Sequence, residues 1–218
     1  MIDSMMNEKT ILGESSSPRF EFRSFGQNFE NAHFRMSRLS SPVPENVWKR
    51  NSEEIYIISH VTNITNTKIR EGKLDIKTLV QTINGLEQWK PLLKEPFPVS
   101  ANLLVKEVFP SLGVDLSEMI KESYSLEDFL KITNDNPKLL RARVKKERYG
   151  YMVNDTICEF GYVWINGAKV CTISSESTDT DAIKKTMDDI GLTGVENINY
   201  LEAIKRVTGI VYKPLANE

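Results

Sequence analysis

The stretch Lys68-Ile69-Arg70-Glu71-Gly72-Lys73-Leu74-Asp75-Ile76-Lys77-Thr78-Leu79 alternates charged and aliphatic side chains on both sides of a Glu-Gly pair. A period of two predicts a β-hairpin with one apolar and one charged face. A solvated sheet face usually mixes charge signs. Here Lys68, Arg70, Lys73 and Lys77 share the charged face or flank its tip, and only Asp75 interrupts them. Cations gathered on one face call for an anion to offset them, and phosphate is the usual partner.

The pattern recurs. Arg141, Arg143 and Lys145 share one parity of the segment from Arg141 to Tyr149, and Arg19, Glu21 and Arg23 alternate with Phe20 and Phe22. If one sheet carries all three segments and curls with its charged face inward, the result is a polar barrel or tunnel with helices on its apolar outside. This α+β architecture places Arg23, Arg70 and Arg143 together on the inner wall. The plainer alternative is three ordinary solvated strand faces.

Composition narrows the function. The chain has 218 residues, 40% hydrophobic and 27% charged, with a formal net charge of −2. Any anion site is therefore a local concentration of cations, and the charge counts against nucleic acid as a partner. No apolar run approaches the ~20 residues that span a bilayer. The first residues lack the basic region and apolar stretch of a signal peptide, so a cytoplasmic location is expected. Cys158 and Cys171 read as buried free thiols, and with only His33 and His60 besides there is no zinc constellation.

Along the chain, residues 1–18 read as a flexible leader ahead of one domain over residues 19–212. Strands are expected at about 19–25 and 54–62, with residues 27–40 open to helix or strand. From about Val80 to Asn136 the Leu, Lys and Glu content predicts helices, with an N-cap at Ser125. A meander resumes at Leu140, turning at Asn154-Asp155 and Asn166-Gly167. One strand sets Phe160, Tyr162 and Trp164 opposite Glu159 and Gly161, and the next aligns Thr172, Ser174 and Glu176. Helices close the chain from about Thr180 to Asp189, stopped by Gly191, and from Tyr200 to Thr208.

From Arg19 to Gly209 this order resembles the CYTH superfamily, the triphosphate tunnel metalloenzymes that include thiamine triphosphatases, inorganic triphosphatases and class IV adenylate cyclases. Lys68 to Lys77 is similar to the family's K-x-R…K-x-x-x-K strand pair, and Arg141 to Arg148 to its second basic strand. Gly191-Leu192 with Asn199-Tyr200-Leu201 is similar to its closing helix. The resemblance implies an antiparallel tunnel of about eight strands. Its phosphate-binding residues would be Arg23, Lys68, Arg70, Lys77, Arg141, Arg143 and Lys145, and one Mg²⁺ or Mn²⁺ at most would sit on Glu21, Glu159 and Glu176. No catalytic residue is singled out.

The acidic half of the family pattern is depleted. Arg19 stands where the first acid of E-x-E-x-K belongs, Gly161 replaces an aspartate, and Ser174 replaces a glutamate. The expected function is binding of a triphosphate-containing small molecule or polyphosphate, with weak metal-dependent triphosphatase activity if the chain is an enzyme. Two alternatives are a non-catalytic phosphate-ligand sensor or scaffold, and a single-stranded nucleic-acid binder stacking bases on Phe160, Tyr162 and Trp164.

Overall fold

The computed structural model describes residues 18–116 and 119–216. All of the leader expected over residues 1–18 except Pro18 lies outside them. The chain begins with β1 (Phe20–Gly26), α1 (Glu30–Leu39) and α2 (Glu45–Trp48). Then come β2 (Lys49–Ser59), β3 (Thr65–Arg70), β4 (Lys73–Ile83), β5 (Leu86–Pro96) and the short β6 (Val99–Ser100). Next is α3 (Ala101–Leu103), continued through a π-helical turn (Leu104–Val108) into Phe109–Ser111. The remainder is β7 (Ser123–Tyr124), α4 (Leu126–Asp135), β8 (Leu139–Val153), β9 (Thr156–Ile165), β10 (Ala168–Ser177), α5 (Thr180–Ile190) and α6 (Tyr200–Val207).

Eight strands form a closed barrel in the order β1-β10-β9-β8-β2-β3-β4-β5, while β6 and β7 pair apart from it. Neighbouring strands run antiparallel. Four hairpins turn on residue pairs with positive φ at both positions: Glu71-Gly72, Asn84-Gly85, Asn154-Asp155 and Asn166-Gly167. That backbone matches the right-handed twist of the flanking strands. Among the described residues the barrel closes between β5 and β1 on Phe20↔Gln88 and Glu21↔Glu87.

The expected antiparallel barrel with outer helices is what forms, but the helical reading of residues 80–136 needs correction. Residues 80–96 complete β4 and build β5. Leu, Lys and Glu suit a helix by intrinsic propensity. The Asn84-Gly85 turn and the pairing of β5 with β4 override that preference. Helices begin only at Ala101, and α4 starts on a reciprocal capping box between Ser125 and Asp128. The open stretch at residues 27–40 resolves as α1.

Burial explains the layering. Phe22, Phe160 and Ile173 on the outside of the wall pack with Met36 of α1 and with Ile183 and Met187 of α5. On another side, Ile57, Ile69, Leu74 and Ile76 pack with Leu104, Phe109 and Phe129. A third cluster lies inside the barrel, where Phe25, Tyr56, Val144 and Val163 meet Tyr200, Leu201 and Ile204 of α6. Thus one half of the interior is apolar and plugged. Cys158 and Cys171 are buried free thiols, as the sequence implied.

The inner plug should dominate stability. Phe25, 0% exposed, should cost about 3–5 kcal/mol on truncation to alanine, the range for a large buried aromatic. Phe34→Ala, at a position 61% exposed, should stay within ~0.5 kcal/mol. Urea unfolding of the two variants measures the difference.

Candidate functional site

The other half of the interior is a polar cavity of about 240 Å³. Alternation along each strand supplies its walls: Arg19, Glu21 and Arg23 from β1 and the residue before it, Arg50 and Tyr56 from β2, and Asn66, Lys68 and Arg70 from β3. Lys77 of β4 and Trp89 of β5 face them, with Lys146 and Arg148 of β8, Glu159 of β9, and Ser174 and Glu176 of β10. Among the lining side chains, eight cations stand against three carboxylates. Glu54 and Asp75, both buried beside the cavity, reduce the imbalance without cancelling it.

Glu54 anchors one ion network. Its side chain accepts from Arg70 Nε at 2.7 Å and Lys146 Nζ at 2.8 Å, with Lys68 Nζ at 3.8 Å. Burial alone would raise its pKa, but Lys146, Lys68 and Arg70 outweigh that and hold the carboxyl well below its ordinary range. Burial pushes Lys68 down to about 8 against the pull of Glu54. Lys146 also donates to the Tyr56 hydroxyl at 2.9 Å and sits 3.9 Å from the Tyr200 ring centroid.

Glu159 anchors a second network. Arg23 lies 3.4 Å from its Oε1, while Arg50 and Arg148 lie 3.0 and 3.6 Å from its Oε2. Arg23 Nε also donates to Glu21. Glu176 stands directly across the strands from Glu21 and has no ion pair among the described residues. Burial, then repulsion from Glu21, push its pKa from 4.5 up to about 7.

Several donors are left over. Arg19 and Lys77 make no hydrogen bond or ion pair among the described residues. The buried Nε atoms of Arg50 and Arg148 have no partner either. A buried donor without an acceptor costs about 1–3 kcal/mol, so these groups favour an anionic ligand.

The structure brings Arg23, Lys68, Arg70, Lys77, Glu21, Glu159 and Glu176 together as the sequence suggested. It does not bring in Arg141, Arg143 or Lys145. Arg143 points outward, 77% exposed, and pairs with Glu53. Lys145 lies over Trp164 at 5.4 Å, and Arg141 is exposed. The expectation of Arg23, Arg70 and Arg143 on one inner wall therefore fails at Arg143. Its cause is the plug. Ala142 and Val144 are buried inside the barrel, so the apolar parity of β8 is the inner one there. Lys146 and Arg148 continue that parity into the cavity and take the place assigned to Arg141 and Arg143.

Glu54, Arg50, Lys146 and Arg148 were not among the sequence candidates. Glu54 is legible as the second acid of Glu53-Glu54, sharing the parity of Tyr56 and Ile58 as the chain enters Ile55-Tyr56-Ile57-Ile58, a run too apolar for a solvated strand. Gly161 has a physical role where an aspartate was missing. A Cβ there would meet Arg148 Cγ at 3.2 Å and the Glu147 carbonyl oxygen at 3.0 Å, so glycine leaves room for the Arg148 stem. His33 stacks on Phe160 at 3.9 Å outside the cavity, and His60 is exposed.

No protein-family profile matches the chain, and no curated protein matches it in sequence. Solved structures do resemble it. A candidate adenylate cyclase from Bacillus halodurans is 14% identical, with 84% of this chain and 95% of that one covered at a TM-score of 0.44. The PH1012 protein from Pyrococcus horikoshii is 17% identical over 84% and 99% of the two chains, with a TM-score of 0.46. HpAC1 from Hippeastrum, a candidate adenylyl cyclase described as having a dominant triphosphatase activity, is 11% identical over 88% and 96%, with a TM-score of 0.46. Among the described residues no helix is long and apolar enough to cross a membrane.

Two consequences are measurable. Glu54→Gln leaves the buried Lys68 and Lys146 and the half-buried Arg70 short of their counter-ion and should destabilise the fold by about 3–5 kcal/mol in urea. Glu176 behaves oppositely. Its raised pKa means that the folded state holds a proton the unfolded chain releases, so stability falls as pH rises from about 4.5 to about 7. Glu176→Gln should remove that decline, and its melting temperature should gain on the natural protein as pH passes from 5 to 8.

Proposed function

We propose that the barrel cavity binds a triphosphate or polyphosphate-type anion and does so without a metal ion. The observation that carries this reading is the set of unpartnered donors: the Nε groups of Arg50 and Arg148, with Arg19 and Lys77 nearby. Guanidinium forks match the spacing of phosphate oxygens, and low local dielectric strengthens each contact. The internal carboxylates hold the remaining cations in place ahead of the ligand. The ligand then forms its contacts without collecting mobile side chains, which lowers the ordering cost of binding.

The Mg²⁺ or Mn²⁺ implied by the family resemblance fits this donor set poorly. Both oxygens of Glu159 face arginines, and Glu21 is engaged by Arg23. Among the described residues no three carboxylate, imidazole or thiol groups meet as a metal site. Glu159 serves here as a counter-ion for three guanidinium groups. This favours the sensor or scaffold role over turnover, since positively charged neighbours attract phosphate and repel a divalent ion. The nucleic-acid reading loses its platform: Phe160 is fully buried, while Lys169 lies over Tyr162 at 4.3 Å and Lys145 over Trp164 at 5.4 Å.

The parity of β8 makes the test. In buffer containing EDTA, Arg148→Ala should weaken tripolyphosphate binding by ~1.5–3 kcal/mol, the range for a charge-assisted hydrogen bond. Arg143→Ala should change it little. Calorimetric titration giving equal losses at both positions would point to diffuse surface attraction instead of a site.

A further inference from the structure

We propose that the uncovered outer face of β8, β9 and β10 binds an extended acidic segment of a partner protein. This face lies across the barrel wall from the cavity, so the proposal goes beyond the anion-binding reading and does not depend on it. Helices cover the outside of the wall on two sides, over Phe22, Phe160 and Ile173 and over Ile57, Ile69 and Ile76. Between those sides Arg141, Arg143 and Lys145 of β8 and Lys169 of β10 are all exposed.

Their charges are poorly balanced. The carboxylate of Glu53 pairs with Arg143 and not with Lys145, which stands directly across the strands from it. Glu147, next along the same face of β8, is engaged by Lys49 at 3.6 Å and by the Tyr149 hydroxyl. Among the described residues Arg141, Lys145 and Lys169 have no ion pair. Lys145 and Lys169 flank Trp164 from the two neighbouring strands and lie over its ring, 5.4 and 5.8 Å from the centroid. Two like charges gathered on one ring repel, and a carboxylate between them relieves that repulsion. The chain has a net charge of −2 although eight of its cations face the cavity, so the remainder carries an excess of acids. A cationic patch on such an exterior attracts and orients an acidic partner.

The spacing favours a peptide. Arg141, Arg143 and Lys145 recur at every second residue of a strand, about 6.6 Å apart along it. An extended peptide repeats its same-side side chains at that interval, so alternate acids meet successive cations. The lysine stems lie on aromatic rings and are ordered before binding, which lowers its entropic cost. Single-stranded nucleic acid needs open ring faces for stacking. Here Lys145 and Lys169 occupy the Trp164 ring, and Lys169 also covers Tyr162 at 4.3 Å.

Three fluorescein-labelled probes titrated into the full chain at about 0.15 M salt test this by anisotropy: Glu-Thr-Glu-Thr-Glu-Thr-Glu, the block peptide Glu-Glu-Glu-Glu-Thr-Thr-Thr, and a short oligothymidylate. The alternating peptide should bind saturably, and the block peptide of equal charge severalfold more weakly. Lys145→Glu with Lys169→Glu, both at exposed positions, should weaken the alternating peptide about tenfold or more, since attraction becomes repulsion at two places. The matched reversal Lys90→Glu with Lys106→Glu, at exposed positions away from this face, should change it less than about twofold. Equal binding of the two peptides, or equal losses in the two double variants, would overturn the proposal in favour of diffuse attraction. Tighter binding of the oligothymidylate would overturn it in favour of nucleic acid. Absence of peptide binding would overturn it outright, and none of these results bears on tripolyphosphate in the cavity.

Discussion

The buried carboxylate of Glu54 is the interaction on which the rest depends. It is fully inside the protein, yet three cations from two other strands converge on it: Lys146 from β8, with Lys68 and Arg70 from β3. Without it, the barrel would bury like charges facing one another in a low-dielectric interior, at a cost of several kcal/mol per ion. With it, the cations are held in fixed positions and their charge is favoured, while burial still pulls the Lys146 pKa well below its ordinary range. Glu159 repeats the arrangement on the other wall for Arg23, Arg50 and Arg148. The cavity is thus a cationic surface held together by minority carboxylates, and its excess positive charge is what remains for a ligand.

The plug sets the second constraint. Filling one half of the barrel with Phe25, Tyr56, Val144, Val163 and the apolar face of α6 gives the molecule an inner core in addition to its two outer ones. The polar residues are then crowded into the other half. Asn199 ties the two halves together: its carbonyl oxygen caps α6 through Glu202 N, and its amide donates to Glu87 of β5. The helix that closes the floor is thereby latched to the strand beside the short β5–β1 seam.

Much of this was readable in the sequence where local pattern and tertiary environment agree. The Lys68–Lys77 hairpin, the Glu159 and Glu176 strands and the barrel class all followed from period-two alternation. The reading went wrong where one strand crosses two environments. On β8 the rule of apolar residues outward fails, because Ala142 and Val144 face an interior that is itself apolar. Alternation alone therefore places Arg141, Arg143 and Lys145 inside and passes over Lys146 and Arg148. Residues 80–96 misled for another reason. Their helix-forming composition outweighed an Asn-Gly turn signal as clear as the one at Asn166-Gly167. Glu54 is not singled out by pattern, because which acid of Glu53-Glu54 matters shows only when the strands that face it are known.

The most direct measurement of the central claim is the NMR signal of the Arg50 and Arg148 Nε–H groups, followed as tripolyphosphate is added in the presence of EDTA. If the cavity is a preformed anion site, both signals should move downfield and their exchange with solvent should slow, saturating at one ligand per chain. The outward Arg143 signal should stay where it was. Movement of Arg143 alone, or no change at Arg50 and Arg148 as the ligand saturates, would contradict the account.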